Sequence, residues 1–529
     1  MDYNIVENLK LAASATLPAK PRNKKTSCPI IEKLSEKQKK IRLDISCDKD
    51  PKSILHKKKE RNIILKEIKS QQTLNAEIEI DKLATEIEAS TDSQKTFKAT
   101  KLILNINKKK SAIVIHNQEG KPIDNDKNKL ETIAQHYTEK YKGNYHITPF
   151  LTPSKLDNPI DTKEIKEAIT KLNLNKATGP DQIQAELLKA TQDTVAPQLA
   201  EIFNNCFEKE VDIDLNINLG NLLLIQKPGK PKGPIANLRP IVLLSTFRKI
   251  LSIVTLGRIR NKIENYLSAS QAGFRPNRST TDIVFAHKIL IARIKKYQES
   301  FTILGIDLSS AFDTIHRDKL LDILKDIVDR DELTLIRFLL ANTKLNLTCG
   351  NESTELTTII GTPQGDSLSP ILFVVYLEAA LRELRPKLPT STRFEPSELI
   401  YADDCDLIFD TPIEAKQSVP IIVETLGNWN LKVNASKTEF TTINRNTLEW
   451  QKTRKLGSLL DDQEDLKRRK QLATVAFKNL QAVWVRKNRI IKEDKILSLY
   501  NSLVLPILTY NCSTWSLTKK TDITFRLLS

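Results

Sequence analysis

The stretch YADDCD (residues 401–406) sets Asp403 and Asp404 side by side, with Asp406 close behind, between the apolar segments SELI and LIF. Neighbouring carboxylates repel and raise each other's pKa. Such a turn is either a solvated hairpin, which Asp suits, or a seat for a multivalent cation. A further acid, Asp307, ends the apolar run FTILGI 96 residues earlier. If the two segments are neighbouring strands of one sheet, Asp307 and the Asp403–Asp404 turn meet at one edge. Three carboxylates could then hold two Mg²⁺ ions about 4 Å apart, one activating a 3′-hydroxyl and one steadying a pentavalent phosphate and the leaving pyrophosphate. Mg²⁺ prefers a few carboxylates plus phosphate oxygens and water. Asp406 is expected to cap or hydrogen-bond within the hairpin.

The elements that must position these acids are legible from periodicity. NLLLIQ and FTILGIDL read as buried strands, and ELIYADDCDLIF as a hairpin. DELTLIRFLLANTK, SPILFVVYLEAALREL and IEAKQSVPIIVETLGNWN read as helices, the last absorbing Pro420. Strands carrying acids at their ends, with helices behind, describe an α+β sheet layer. Residues 1–150 are Lys-rich and read as a basic, mostly helical N-terminal extension, for which KKKER and Lys108 to Lys110 are solvated faces. YKGNYHITPFLTPSKLDNP, with Gly and three Pro, marks a boundary. A helix N-capped by Asp161 follows. After residue 458 the pattern is helical.

Composition narrows the partners. The 529 residues carry a formal charge of +17, and 40% are hydrophobic, so a large core is feasible. Residues 221–300 hold 15 Lys and Arg against 3 Asp and Glu, whereas residues 301–450 hold 14 against 23. A basic cleft gripping a polyanion around an acidic, cation-binding centre gives this segregation. Six Cys without CxxC or zinc spacing indicate a reducing compartment. No secretory signal opens the sequence, and the longest apolar run, Ile371 to Leu377, is far too short to span a bilayer. An intracellular protein, nuclear or cytoplasmic, without a membrane partner is expected.

Asp307 with Phe312 five residues on, YADD and GTPQGDSLSP (361–370) resemble the reverse-transcriptase motifs of non-LTR (LINE-like) retrotransposons. NKATGPDQI (175–183), QKPGK…NLRPIVLL (226–244), QAGFRPNRSTTD (271–282), NASKTEF (434–440) and KLGSLLDD (455–462) follow in the family's order. The resemblance covers roughly residues 160 to 515. It implies an RNA-directed DNA polymerase with an α+β right-hand fold. The fingers lie within 151–300, the palm is 301–457 and a helical thumb is 458–529, the reverse-transcriptase domain being about 205–457.

By that resemblance Asp307, Asp403 and Asp404 are the metal ligands for Mg²⁺, with Mn²⁺ as a substitute. Phe312 either lies under the sugar of the incoming dNTP, excluding a 2′-hydroxyl by steric clash, or is an ordinary core Phe. Gln364 and Gly365 belong to a loop that approaches primer–template and nucleotide closely. Arg239 and Lys227, with Lys230 beside them, bind the triphosphate. Lys437 either protonates the departing pyrophosphate or is a surface lysine. Arg275 and Arg278 contact template backbone, help shape the nucleotide pocket or form structural salt bridges. In the thumb, Lys467, Arg468, Arg469, Arg486, Lys487 and Arg489 would grip the RNA–DNA duplex through its backbone. Trp484 is either core or a base-stacking platform. Two departures stand out: Thr178 where the family has Pro, and Gln182 where it has Gly. Nothing in residues 1–150 resembles the endonuclease that full elements carry, so the sequence reads as part of a longer element. The competing reading is a catalytically inactive, retrotransposon-derived nucleic-acid-binding protein.

Overall fold

A computed structural model describes residues 5–16, 29–48, 50–89, 93–105, 114–117, 120–143, 155–208, 217–297, 299–341, 343–389, 391, 393, 397–435, 437–481, 485–486, 489–490 and 493–516. Lys108 to Lys110, Trp484, Lys487 and most of the expected boundary around residues 144–154 lie outside the described residues. Two compact units form: Met1–Leu17 with Ala112–Asp461, and Pro18–Ser111 with Asp462–Ser529. Residues 112–143, read from sequence as part of the N-terminal extension, thus belong to the first unit.

The strands of the first unit are β1 (Leu219–Gln226), β2 (Leu238–Leu244), β3 (Phe301–Ile306), β4 (Leu308–Ser309), β5 (Lys344–Cys349), β6 (Glu352–Thr357), β7 (Glu398–Tyr401), β8 (Asp404–Phe409), β9 (Lys432–Val433), β10 (Glu439–Ile443), β11 (Arg454–Lys455) and β12 (Ser458–Leu459). One sheet runs β2-β1-β5-β6 and another β10-β3-β8-β7, with β4–β9 and β11–β12 as small ribbons. Only the β1–β5 pairing among these is parallel. With helices on and around these sheets, the unit is α+β.

β3 is central and buried at every position, which is why FTILGI is an unbroken apolar run. Period-2 alternation splits it between two cores. Leu304 and Ile306 face the cluster of Phe373, Val375 and Leu377 on helix Ser369–Leu384. Phe301 and Ile303 face Ile283, Leu290 and Ile294 on helix Thr280–Tyr297. β1 departs from the expected buried strand: Leu222 packs in the core beneath helix Asp126–Tyr141, but Leu223 and Ile225 are exposed. Among the described residues nothing buries that face of the strand, and a run of leucines does not reveal the difference.

The expected helices form. Thr162–Lys171 starts at a capping box of Asp161 and Glu164, and Arg330–Leu340 at one of Asp329 and Glu332. Helix Pro412–Asn428, capped by Thr411 and Glu414, carries Pro420 in its interior. In these boxes side chains satisfy backbone donors that the first helical turn leaves unpaired.

In the second unit helices Pro29–Cys47, Pro51–Ala89 and Ser93–Asn105 precede helices Asp462–Asn479 and Glu493–Leu503, with a small ribbon of β13 (Val485–Arg486) and β14 (Arg489–Ile490). Ile80, Leu83, Ile87 and Ile103 share one core with Leu480, Leu499, Val504 and Leu508. The N-terminal helices and the C-terminal helices, read as separate segments, therefore bury each other's apolar faces. No helix among the described residues is long and apolar enough to cross a membrane.

Candidate active site

β3 and β8 are antiparallel neighbours, with Ile306 paired to Cys405 and Gly305 to Asp406. Extending this register by one residue sets Asp307 opposite Asp404. β7 and β8 close as a hairpin at the pair Tyr401–Asp404, leaving Ala402 and Asp403 as the two turn residues. The three acidic residues thus lie at one end of the sheet, because two apolar strands of matched register both end there.

The turn is strained and clamped. Ala402 has φ 58°, a left-handed conformation that a residue with a Cβ adopts at a cost. Gln271, almost fully buried, holds it: its Oε1 accepts from Ala402 N–H (2.9 Å) and from Gly273 N–H (2.7 Å). Backbone bonds from Ala272 N to Ile400 O (2.9 Å) and from Ile400 N to Ser270 O (3.0 Å) tie the same segment to β7. Gln271 was not among the expected site residues. Its place in the QAGFRPNRSTTD motif, two residues before Gly273, was the available signal.

Charge crowding is visible in the acids. Burial pushes the Asp403 carboxyl up, and the charge of Asp307 adds to this. The protein around Asp404, followed by the charges of Asp403, Asp406 and Asp307, pushes it up to about 6. Asp307 is answered by Lys437, whose Nζ lies 2.8 and 3.0 Å from its two oxygens. Asn434 N–H also donates to the Asp307 carbonyl (2.8 Å), so the NASKTEF turn wraps the strand end. Among the described residues no three His, Cys, Asp or Glu side chains converge closely enough to enclose a metal ion. An all-carboxylate donor set nevertheless suits a hard cation that takes the rest of its ligands from phosphate and water.

Asp406 does not serve the hairpin backbone as expected. Its carboxylate is buried against Lys455 Nζ (2.6 Å) and His287 Nε2 (3.0 Å). Burial pushes it up, but His287 and Lys455 outweigh that and hold it below the usual carboxylate range. Cys405 is buried in the core.

A second set of side chains surrounds the loop Gly361–Asp366. Phe312 is half-buried, its ring 4.8 Å from that of Phe373 and 6.2 Å from that of Phe274. Gln364 Nε2 lies 3.3 Å from both oxygens of Asp313. Gly365 does permit a close approach, but to the chain itself: a Cβ there would sit 2.5 Å from Val242 O. Asp366 is fixed by the buried Arg248 (2.9 Å). Arg317 is also buried and spends its guanidinium on Gly361 O, Leu340 O, Thr358 O, Thr358 Oγ1 and Ile360 O. Burial pushes it down to about 9, so it stays charged at neutral pH. Replacing Arg317 by Met orphans these acceptors and is expected to destabilise the fold by about 3 kcal/mol or more. Thermal unfolding followed by circular dichroism checks this, and a midpoint equal to wild type would refute it.

The basic residues divide. Lys227 Nζ donates to Ala236 O (2.8 Å). Its ammonium is pushed down by burial, then by Lys140, Arg239 and Lys437. Arg239 and Lys230 are exposed, as is Arg278. Arg275 is turned inward, to Glu264 (2.9 Å), Ser268 O and Gln271 O. Of its two expected roles the structural salt bridge is the one seen. In the second unit Lys467 is exposed and Arg468 half-exposed. Arg469 departs from its expected place on a duplex-facing surface. It is buried beside Asp465 (3.6 Å) and stacked on Tyr510 (4.4 Å), because an acid four residues back on the same helix captures it. Arg486 and Arg489 lie in β13 and β14.

Residues 225–475 match the family described as reverse transcriptase (RNA-dependent DNA polymerase). The chain is 28% identical over 333 residues to the "Probable RNA-directed DNA polymerase from transposon BS" of Drosophila melanogaster, covering 59% of this chain and 36% of that protein. It is 23% identical over 454 residues to the RNA-directed DNA polymerase from mobile element jockey of Drosophila funebris, covering 77% and 48%. Its identity to the transposon TX1 uncharacterized 149 kDa protein of Xenopus laevis is 25% over 270 residues, covering 50% and 20%. The chain spans less than half the length of each of these relatives. The resemblance carried by the motifs is borne out: residues 225–475 are a reverse-transcriptase domain, similar to the RNA-directed DNA polymerases of non-LTR retrotransposons.

Proposed function

We propose that the chain is an RNA-directed DNA polymerase, adding deoxynucleotides to a primer 3′-hydroxyl on an RNA template. The observation that carries this reading is the β3–β8 register, with Asp307 opposite Asp404 and Asp403 at the hairpin turn between. In this reading the fold is a right hand: the sheet β2-β1-β5-β6 belongs to the fingers, β10-β3-β8-β7 to the palm, and the helices after Asp462 to the thumb. Partners are an RNA template, a DNA primer or target DNA, and dNTPs, inside the cell.

Asp307, Asp403 and Asp404 would hold Mg²⁺, or Mn²⁺ in its place. Bound there, such ions lower the pKa of the attacking hydroxyl and neutralise charge on the triphosphate. Lys227 and Arg239 draw the triphosphate in, Arg through a fixed fork of donors and Lys as a point charge. Phe312, backed by Phe373, presents a rigid wall to the sugar and rejects a 2′-hydroxyl. Lys437, released from Asp307, carries a proton to the departing pyrophosphate. Arg278, Lys467 and Arg468 contribute charge toward the nucleic-acid backbone.

The test is incorporation of labelled dTTP on poly(rA)·oligo(dT) with Mg²⁺, alongside duplex binding at increasing salt. Template-dependent incorporation is expected, with binding that weakens steeply as salt rises. A folded chain that binds the duplex and incorporates nothing would instead be a non-catalytic nucleic-acid-binding protein.

A further inference from the structure

Helix Asp126–Tyr141 lies outside the region that matches the family, yet it reaches the proposed nucleotide pocket. Leu130, Ile133, Tyr137 and Tyr141 seat it in the same core as Leu222 and Val242 of the first sheet. Its last turn ends on Asp313, the residue after Phe312. Lys140 Nζ lies 2.7 Å from Asp313 Oδ2, with the carboxylate side chain only 3% exposed. Burial, and then the charge of this same carboxylate, push the Tyr141 hydroxyl well above its usual range. Gln364 Nε2 lies 3.3 Å from both of its oxygens.

A buried carboxylate without a cation is costly, and Lys140 supplies one. A carboxylate only accepts hydrogen bonds, so it must engage the NH₂ end of the Gln364 amide, leaving the carbonyl end to meet a donor such as a sugar hydroxyl. Backbone bonds extend this hold: Thr362 N donates to Phe312 O (2.9 Å) and Gly361 N to Ile315 O (2.8 Å). Lys140 also shares its electrostatic surroundings with Lys227, Arg239 and Lys437.

We propose that Lys140 is a positioning residue for the incoming nucleotide, fixing Gln364 and the backbone of Phe312 through Asp313 and completing the cationic lining begun by Lys227 and Arg239. This rests on the polymerase reading above. It means that the segment ahead of the family-matched region takes part in nucleotide selection.

The test is steady-state incorporation with dTTP and with UTP. Lys140→Met is expected to raise KM for dTTP about tenfold, the size of one charge-assisted hydrogen bond, with a smaller change in kcat and weaker discrimination against UTP. Lys140→Arg should restore both. If Lys140→Met fails to fold, the double variant Lys140→Met/Asp313→Asn removes both members of the buried pair, and its KM should stay high. An active wild type whose KM and UTP discrimination do not move in these variants overturns the inference and leaves the polymerase standing. If the wild type does not polymerise, calorimetric binding of dTTP with Mg²⁺ decides. Binding weakened about tenfold by Lys140→Met and recovered by Lys140→Arg supports the inference while the polymerase reading falls. Binding that is unchanged by the substitution, or absent in the wild type, overturns it.

Discussion

Asp403→Asn is expected to lower dTTP incorporation on the order of 10³-fold or more, the scale of removing a group that acts on charge developing in the transition state. The substitution keeps shape and removes one negative charge from the sheet end where Asp307, Asp403 and Asp404 lie. Its effect on stability should have the opposite sign. Burial and the neighbouring Asp307 push Asp403 up, so keeping it ionised at neutral pH opposes folding. A carboxyl raised in the folded state lowers stability as pH rises through its folded value. Asparagine relieves that, and the thermal midpoint without divalent cation should rise or hold rather than fall. Duplex binding should persist, since the contacts proposed for it lie elsewhere. Three measurements on one purified variant decide the matter: incorporation, salt-dependent duplex binding and thermal unfolding. Retained incorporation would remove Asp403 from catalysis, whereas a large drop in the midpoint would make its role structural. A site that destabilises its own fold for the sake of activity is a familiar compromise.

The acidic edge was legible because its signals are local. An apolar strand that stops at an acid, and a hairpin whose turn is acidic, can be read within a few residues of Asp307 and Asp403. Capping boxes at Asp161, Asp329 and Thr411 are equally local. What the sequence hid depends on partners distant in the chain. Arg275 reads equally as a nucleic-acid contact or a structural salt bridge until Glu264 decides it. Ile80, Leu83 and Ile87 find their cover in Leu480 and Leu499, far along the chain. Leu223 and Ile225 look buried because periodicity cannot say which face of their strand is left open among the described residues. Arg469 is the instructive exception: Asp465, four residues earlier, was a local warning that its charge was already answered. Lys140 carried no local mark, and Gln271 none beyond its place in the QAGFRPNRSTTD motif. Their roles arise only where a helix end meets Asp313 and where a loop meets Ala402.

That last contact yields the second large effect. Gly273→Ala is expected to cost about 100-fold in kcat, through the position of the turn and not through any lost chemical group, since small misplacements of a reacting geometry are that expensive. Gly273 needs no left-handed backbone, so the strain is purely one of space. An added Cβ would lie 2.2 Å from Ala402 N and 2.7 Å from Ala402 Cα. These are backbone atoms of the two-residue turn, and they cannot rotate away as a flexible side chain could. Either the Gln271–Gly273 segment or the turn must move, and Asp403 follows Ala402 directly. Gln271→Leu probes the same contact without a clash. It fills a similar volume but leaves Ala402 N–H and Gly273 N–H without the oxygen they share. Its expected loss is smaller, about tenfold in kcat. Both variants should keep the KM for dTTP near wild type, because the residues proposed to hold the nucleotide are untouched. An unchanged kcat in both, with normal folding, would mean that the turn keeps its geometry by the β7–β8 pairing alone. A rise in KM with constant kcat would move the Gln271–Gly273 segment from the catalytic turn to the nucleotide pocket.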